Sequence, residues 1–355
     1  MRFPEFSGEW EKRKLASIGK FFSGGTPTSS NKDYYDGEIP FIRSGEIHSD
    51  HTELSISAIG YENSSAKMVS KGDLLLALYG ATSGDIAISR MSGAINQAIL
   101  CIRTTQDHLF LKSVWEKHVK NILNTYLQGG QGNLSADIVK NLFFYFPRIE
   151  EQRKIGRLIE LIDQRIAIQN RAIEQYESLI KGISSEVIGG KRPNTTLSNC
   201  VFCSSSTLKE SELIDTGIPT YGAAGISGYT AEALCKSDSI LITKDGSGVG
   251  SKRYVHGEHS FVGTLCSLTP KDGIYLPYVY YALMTMNLDT YKTGQAIPHI
   301  YFKDYGKLQL FCPTYSEQRR LSHGLETLDR KVEFEKNLLL SINEVKKGLL
   351  DQLFI

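Results

Sequence analysis

Two stretches of this 355-residue chain carry apolar residues in alternating steps of four and three. The first runs through Ile155, Ile159, Ile162, Ile166, Gln169, Ile173, Tyr176, Ile180, Ile183 and Val187. The second runs through Leu321, Leu325, Leu328, Val332, Glu335, Leu339, Ile342, Lys346, Leu349 and Leu353. That spacing predicts a heptad seam on an α-helix in each case. Each predicted helix covers about 39 residues, or roughly 58 Å at 1.5 Å per residue. A stripe that long needs a partner, and the simplest partner is the other helix, giving a coiled coil. The alternative is two separate amphipathic helices, each lying on its own globular domain. Both seams are broken by a polar residue at the same place, Gln169 and Glu335; such a break costs stability and fixes register.

The two stretches are copies of one another. Pro147-Arg148-Ile149-Glu150-Glu151-Gln152-Arg153-Lys154-Ile155 aligns with Pro313-Thr314-Tyr315-Ser316-Glu317-Gln318-Arg319-Arg320-Leu321 at an offset of 166. The register holds without a gap through Asp163 and Asp329 to Lys181-Gly182 and Lys347-Gly348. A repeat of this period predicts a duplicated architecture.

The segments before each helix share a looser frame. Gly37-Glu38-Ile39-Pro40-Phe41 resembles Thr216-Gly217-Ile218-Pro219-Thr220-Tyr221, and Lys71-Gly72-Asp73-Leu74-Leu75-Leu76 resembles Lys236-Ser237-Asp238-Ser239-Ile240-Leu241. A glycine-rich turn follows in both, Tyr79–Gly84 and Lys244–Gly248. Further on come Gly130-Gln131-Gly132-Asn133 and Gly294-Gln295-Ala296-Ile297-Pro298-His299. The runs Leu74–Leu78 and Ser239–Thr243 read as short buried strands, and His108–Leu127 and Leu276–Leu288 as helices. Alternating strand–helix units are missing, so the expected class is α+β rather than a doubly wound sheet. The plan is a globular domain at 1–148, a long helix at 149–188, a second globular domain at 189–314 and a second long helix at 315–355.

Composition narrows the chemistry. Hydrophobic residues make up 41% and charged residues 22%, enough apolar material for packed cores. No run of eighteen apolar residues predicts a membrane span, and the start of the chain lacks a signal-peptide core. Six irregularly spaced cysteines suggest a reduced, cytoplasmic protein. No phosphate-binding loop, dinucleotide fingerprint, nucleophile elbow or Asn/Asp-Pro-Pro-Tyr/Phe methyltransferase tetrapeptide is present. Cys200-Val201-Phe202-Cys203 lacks the second pair that a zinc site needs. His256 and His259 likewise lack ligand partners in the sequence, and His48-Ser49-Asp50-His51 reads as a solvated loop. No catalytic site and no metal site is expected.

The formal net charge is only +1. Residues 1–149 carry 16 basic and 15 acidic groups, and residues 189–315 carry 11 and 10. Any nucleic-acid surface must therefore come from arrangement rather than excess. The first half offers Arg43, Lys67, Lys71 and Arg90, the turn residues Tyr79 and Thr82, and the amides Asn96, Gln131 and Asn133. The second offers Lys244, Lys252, Arg253, Gln295, His299 and Lys303, with Ser247 in the turn and Tyr221 and Tyr254 interleaved. Arg, Lys, Asn and Gln are side chains that read base edges in the major groove. The plainer reading of any one of them is a solvated loop residue.

The whole plan resembles the specificity subunit of type I restriction–modification systems. The resemblance is carried by Arg2-Phe3-Pro4-Glu5-Phe6 with Trp10-Glu11 and Lys14-Leu15, by Gly24-Gly25-Thr26-Pro27, and by Glu38-Ile39-Pro40-Phe41-Ile42. The two Pro…Glu-Gln-Arg helix starts and the ending Lys346-Lys347-Gly348-Leu349-Leu350-Asp351-Gln352-Leu353-Phe354 carry it further. It implies two target recognition domains, each reading half of an asymmetric bipartite DNA sequence, with the helices packed antiparallel as a spacer. It implies a non-catalytic chain that binds no cofactor itself. Its partners would be double-stranded DNA and two adenine methyltransferase subunits carrying S-adenosylmethionine. Two restriction subunits, using ATP and Mg, would attach through these. Rival readings are a subunit of a modification-only or fused nuclease–methylase system, and a coiled-coil scaffold for a non-DNA ligand. One departure is the short leader of the second half, Gly189–Asn194 against Met1–Lys14.

Overall fold

The computed structural model describes residues 2–127, 133–246, 248–294 and 297–354. It is a mixed helix-and-sheet protein with two compact units. The first unit takes in Met1–Ile168 and Leu339–Ile355, the second Gln169–Leu338. This division falls inside the long helices rather than at their ends. Each unit therefore keeps a stretch of both helices packed on its own globular part.

In the first unit, Leu74–Ala77 is fully buried, as a central strand with both faces covered must be. Its sheet has the order Gly19–Ser23, Ile99–Thr104, Leu74–Ala77, Ile86–Ile88, antiparallel throughout. Side chains alternate between faces along a strand. Leu74 and Leu76 thus join a core with Phe110, Val114 and Trp115 of the helix His108–Leu127, together with Ile155, Ile159, Leu353 and Phe354 of the long helices. Leu75 and Ala77 face a second core with Ile42, Val69 and Ile95. A second sheet, ordered Ser55–Ile56, Tyr35–Ile42, Gly93–Ile95, Lys67–Val69, covers that side, with Tyr35–Ile42 and Gly93–Ile95 parallel.

The second unit repeats the first sheet strand for strand, while its second sheet has three strands, ordered Gly225–Thr230, Ile218–Gly222, Ser260–Phe261. Val201–Ser205, Leu265–Pro270, Ser239–Thr243 and Lys252–Val255 form the antiparallel sheet in the corresponding order. Ile218–Gly222 pairs in parallel with Ser260–Phe261, as Tyr35–Ile42 does with Gly93–Ile95. The first predicted helix is observed at His108–Leu127, but the second ends at Met284, short of Leu288. There the Thr285 hydroxyl donates to the Ala282 carbonyl, and Lys252 Nζ donates to the Met286 carbonyl. These bonds hold the chain in a turn instead of a further helical turn.

The long helices are Ile149–Ser184, followed by a single π-turn Ser185–Gly189, and Tyr315–Leu353. Every seam position of both is buried or half-buried. In the first unit, Ile155 shares a core with Leu353 while Asp163 bonds Lys346, so the helices run antiparallel. In the second, Gln169 Nε2 donates to Glu335, its own equivalent in the repeat, and Glu177 pairs with Lys336 at 2.5 Å. In an antiparallel pair of copies only one position can meet its own equivalent, and the polar break in the seam occupies it.

The Glu-Gln-Arg motif turns out to be an anchor. Gln152 is buried; its amide accepts from Asp107 N at 3.2 Å and donates to the Pro147 carbonyl at 2.9 Å. Gln318 does the same with Tyr275 N at 2.8 Å and the Pro313 carbonyl at 2.8 Å. An unmet buried backbone amide costs about 1–3 kcal/mol, which explains a glutamine at the start of both helices. The residue before each glutamine is held differently in the two units. Arg2 reaches back to the buried Glu151 with bonds of 2.7 and 2.6 Å, whereas Glu317 is exposed and accepts from the Thr314 hydroxyl.

Candidate nucleic-acid interface

The glycine-rich turns occupy the same place in both units and are held by the same backbone bonds. In the first, Leu78 N donates to the Ala98 carbonyl at 2.8 Å and Leu134 N to the Leu78 carbonyl at 3.0 Å. In the second, 166 residues on, Lys244 N donates to the Thr264 carbonyl at 2.9 Å and Ile300 N to the Lys244 carbonyl at 2.9 Å. Gly84 N and Gly250 N close the turns onto Ala77 and Thr243, each at 2.8 Å. Gly80 and Gly84 have φ of 76° and 86°, Gly246 and Gly250 of 94° and 90°, values that glycine tolerates best.

This shared frame decides which candidates come together. In the first unit Tyr79 and Thr82 lie in the turn, and Asn133 is beside it through Leu134. Asn96 stands at the same end, because Leu78 bonds Ala98, and Lys67 pairs in register with Ile95. Arg43 follows Ile42, which pairs with Ile95. Lys71 and Arg90 are exposed but sit at the other end of the hairpin, where Gly72 N donates to the Ser89 carbonyl. These two do not join the turn cluster.

Two first-unit candidates are already engaged. Arg43 is held by Glu46 at 3.1 Å and Glu53 at 2.5 Å, which raises its already high pKa further. The Asn96 side chain accepts from Ala98 N at 3.1 Å and shapes its own turn. Near the turn, His48 Nε2 lies 3.0 Å from Asp85 Oδ2, and that contact holds the Asp85 carboxyl below its ordinary range.

In the second unit Lys244 lies in the turn, His299 contacts Asp245 within it, Lys252 pairs in register with Ile242, and the Tyr221 carbonyl accepts from Val262 N; Lys303 sits on the short helix Phe302–Tyr305. Arg253 lies 5.7 Å over the Tyr221 ring, and Lys303 5.2 Å over the Tyr301 ring. Lys252 is turned to the Met286 carbonyl at 2.7 Å, and burial lowers its ammonium pKa. Tyr254 donates to Asp238 at 2.9 Å, toward the far end of the sheet. Burial and that carboxylate raise the phenol pKa. Gln131, Ser247 and Gln295 lie outside the described residues. Sequence reasoning did not single out Asp245, Tyr301 or the His48–Asp85 contact. Asp245 stood inside the turn already singled out, and His48 inside a loop read as merely solvated.

Among the described residues no group of three or more His, Cys, Asp and Glu side chains is placed to hold a metal, and no helix is long and apolar enough to cross a membrane. Cys200 is buried and Cys203 half-buried.

Two copies of one sheet-and-helix domain, each presenting a polar glycine turn and each joined to a long helix, define a duplicated two-domain protein. The chain belongs to the family described as type I restriction modification DNA specificity domain, which matches residues 7–178 and again 192–344. It is 20% identical over 379 residues to the EcoprrI specificity subunit of Escherichia coli, covering 96% of this chain and 90% of that one. It is 24% identical over 182 residues to the MjaIX specificity subunit of Methanocaldococcus jannaschii, covering 48% of this chain and only 42% of the relative. The fold is similar to that of the S subunit of a type I restriction–modification system from M. genitalium. There the TM-score is 0.68 at 19% identity, over 100% of this chain and 99% of that one.

Proposed function

We propose that this chain is the DNA-reading, non-catalytic subunit of a type I restriction–modification complex. Each unit reads one half of an asymmetric bipartite target, and the paired helices, of 36 and 39 residues, set the gap between the halves. The observation that carries this reading is the shared turn frame with different side chains at its tip: one protein built to present two different sets of groups in the same way. Two methyltransferase subunits bring S-adenosylmethionine and methylate adenine. Two restriction subunits, acting through them, bring ATP and Mg. This chain supplies no cofactor site of its own and works in the cytoplasm. Its near-zero charge supports weak binding of DNA when alone, because phosphate contacts supply much of such affinity.

The test is genome-wide adenine methylation in cells expressing this chain with its cognate methyltransferase, against the methyltransferase alone. The expected result is one two-part motif with a fixed gap, seen only when the chain is present. A stable complex that adds no motif would refute the reading.

A further inference from the structure

The equivalent tips of the two turns carry different chemistry. At an offset of 166, Tyr79 corresponds to Asp245, Asn133 to His299, Ser135 to Tyr301 and Asp137 to Lys303. In the second unit two of these side chains form a fixed pair, with His299 Nδ1 2.7 Å from Asp245 Oδ1. Their backbones are locked as well. Thr293 and His299 exchange bonds of 2.9 and 2.8 Å, and Gly246 N donates to the Pro298 carbonyl at 3.1 Å. Both side chains remain about one-third exposed. Beside them, Ile297 and Tyr301 are 58% and 50% exposed, so they spend little area on the core.

We propose that Asp245 and His299 form the specificity-determining pair of the second unit and read an exocyclic amino group in the major groove, on cytosine N4 or adenine N6. This rests on the DNA-reading role proposed above. The chemistry follows from the pairing. An ionised Asp245 only accepts hydrogen bonds, and its contact assigns the ring proton of a neutral His299 to Nδ1. His299 Nε2 is then also an acceptor, beside the free lone pairs of the carboxylate. Two acceptors side by side welcome an amino group and repel guanine O6 and thymine O4. Exposed Ile297 and Tyr301 offer apolar contact, and Lys303, 5.2 Å over the Tyr301 ring, supplies a cation on the same segment. The equivalent positions of the first unit hold Tyr79 and Asn133 instead of a carboxylate and an imidazole; the first unit's own His–Asp contact, His48 with Asp85, is built from other positions of the frame.

The test is methylation in vitro by the full complex, using duplexes that carry each of the four base pairs at every position of the wild-type motif. The D245N variant replaces one of the two acceptor oxygens by a donor NH2 and removes the charge, and H299A removes the ring. Each is expected to shift the preference at one position of one half by about tenfold, with the other half unchanged. Should D245N fail to assemble with the methyltransferase, H299A carries the same measurement. Ratios within about twofold of wild type at every position would overturn the inference, as would equal losses in both halves. If the wild-type chain directs no two-part motif at all, the DNA-reading role fails instead, so the two failures are told apart.

Discussion

Asp163 and Asp329 hold the same place in the repeat, one in each unit, yet they meet opposite surroundings. Asp163 belongs to a closed ring of four charges. Lys112 lies 2.8 Å from it and Lys346 2.6 Å, and both lysines also bind Glu116, at 2.6 and 2.8 Å. Asp329 accepts from the Tyr281 hydroxyl at 2.6 Å. The positions that supply Lys112 and Lys346 in the first unit hold Tyr278 and Ile180 in the second. Burial raises both carboxyl pKa values. In the first unit the two lysines outweigh it and the net shift is downward. In the second, burial prevails over the tyrosine and Asp329 titrates above its ordinary range. Duplication thus preserved the position of the carboxylate on the helix and left each unit to fasten it by its own means, by ion pairs in one and by a neutral donor in the other.

The largest expected effect comes from opening the ring. Lys346→Met leaves Glu116 and Asp163, both mostly buried, sharing one lysine. Removing one partner of a buried ion pair costs about 3–5 kcal/mol, and these partly exposed groups belong at the low end, about 3 kcal/mol. Amide exchange should speed up in residues 108–127 and 155–165, with smaller changes in 276–284. Equal changes in both regions would break the comparison. A smaller effect is expected from Tyr281→Phe, which removes the hydroxyl that Asp329 accepts from. The expected cost is about 1–2 kcal/mol, measured by denaturant unfolding and local to the second unit. No loss of stability would show that Asp329 finds its partner elsewhere.

Most of this architecture was legible in the sequence because it depends on periodicity. The heptad seams predicted two long helices, and the offset of 166 predicted that both halves share a frame. The sheet order could not be read, since strand neighbours are set by contacts far apart in sequence. Lys346 shows a second limit. It falls on a seam position and reads as an interruption of the apolar stripe, but its meaning depends on Lys112, Glu116 and Asp163, which only the fold assembles. The same holds for Gln152 and Gln318, recognised as a repeated motif but not as anchors. Residue type alone marks candidate DNA contacts in a sequence, and it cannot tell Arg43, engaged by two carboxylates, from exposed Lys67. Nor can it join Asp245 to His299, which are 54 residues apart.

The smallest effect is also the most direct test of the comparison, because it asks the two equivalent carboxylates to respond oppositely to acid. A carboxyl whose pKa is lowered by folding contributes stability above its unfolded value, and that contribution is lost as pH falls through the folded one. Asp163 is such a group. A carboxyl whose pKa is raised by folding behaves in reverse: the folded state takes up the proton first, so lowering the pH through the folded value adds stability. Asp329 is of this kind. Between neutral pH and about pH 4, near the ordinary aspartate value, protonation of Asp329 should stiffen the second unit while the Asp163 ring is still intact. Below that range the ring should begin to fail. The measurement is amide exchange followed along the two helix segments as pH is lowered, with Asp329→Asn as the control. In that variant the acid-induced protection of residues 276–284 should vanish while the loss around residues 155–165 at lower pH persists. Parallel changes in both segments of the wild-type chain would mean that the two carboxylates share one environment after all, and that the contrast between ion ring and tyrosine has no energetic consequence.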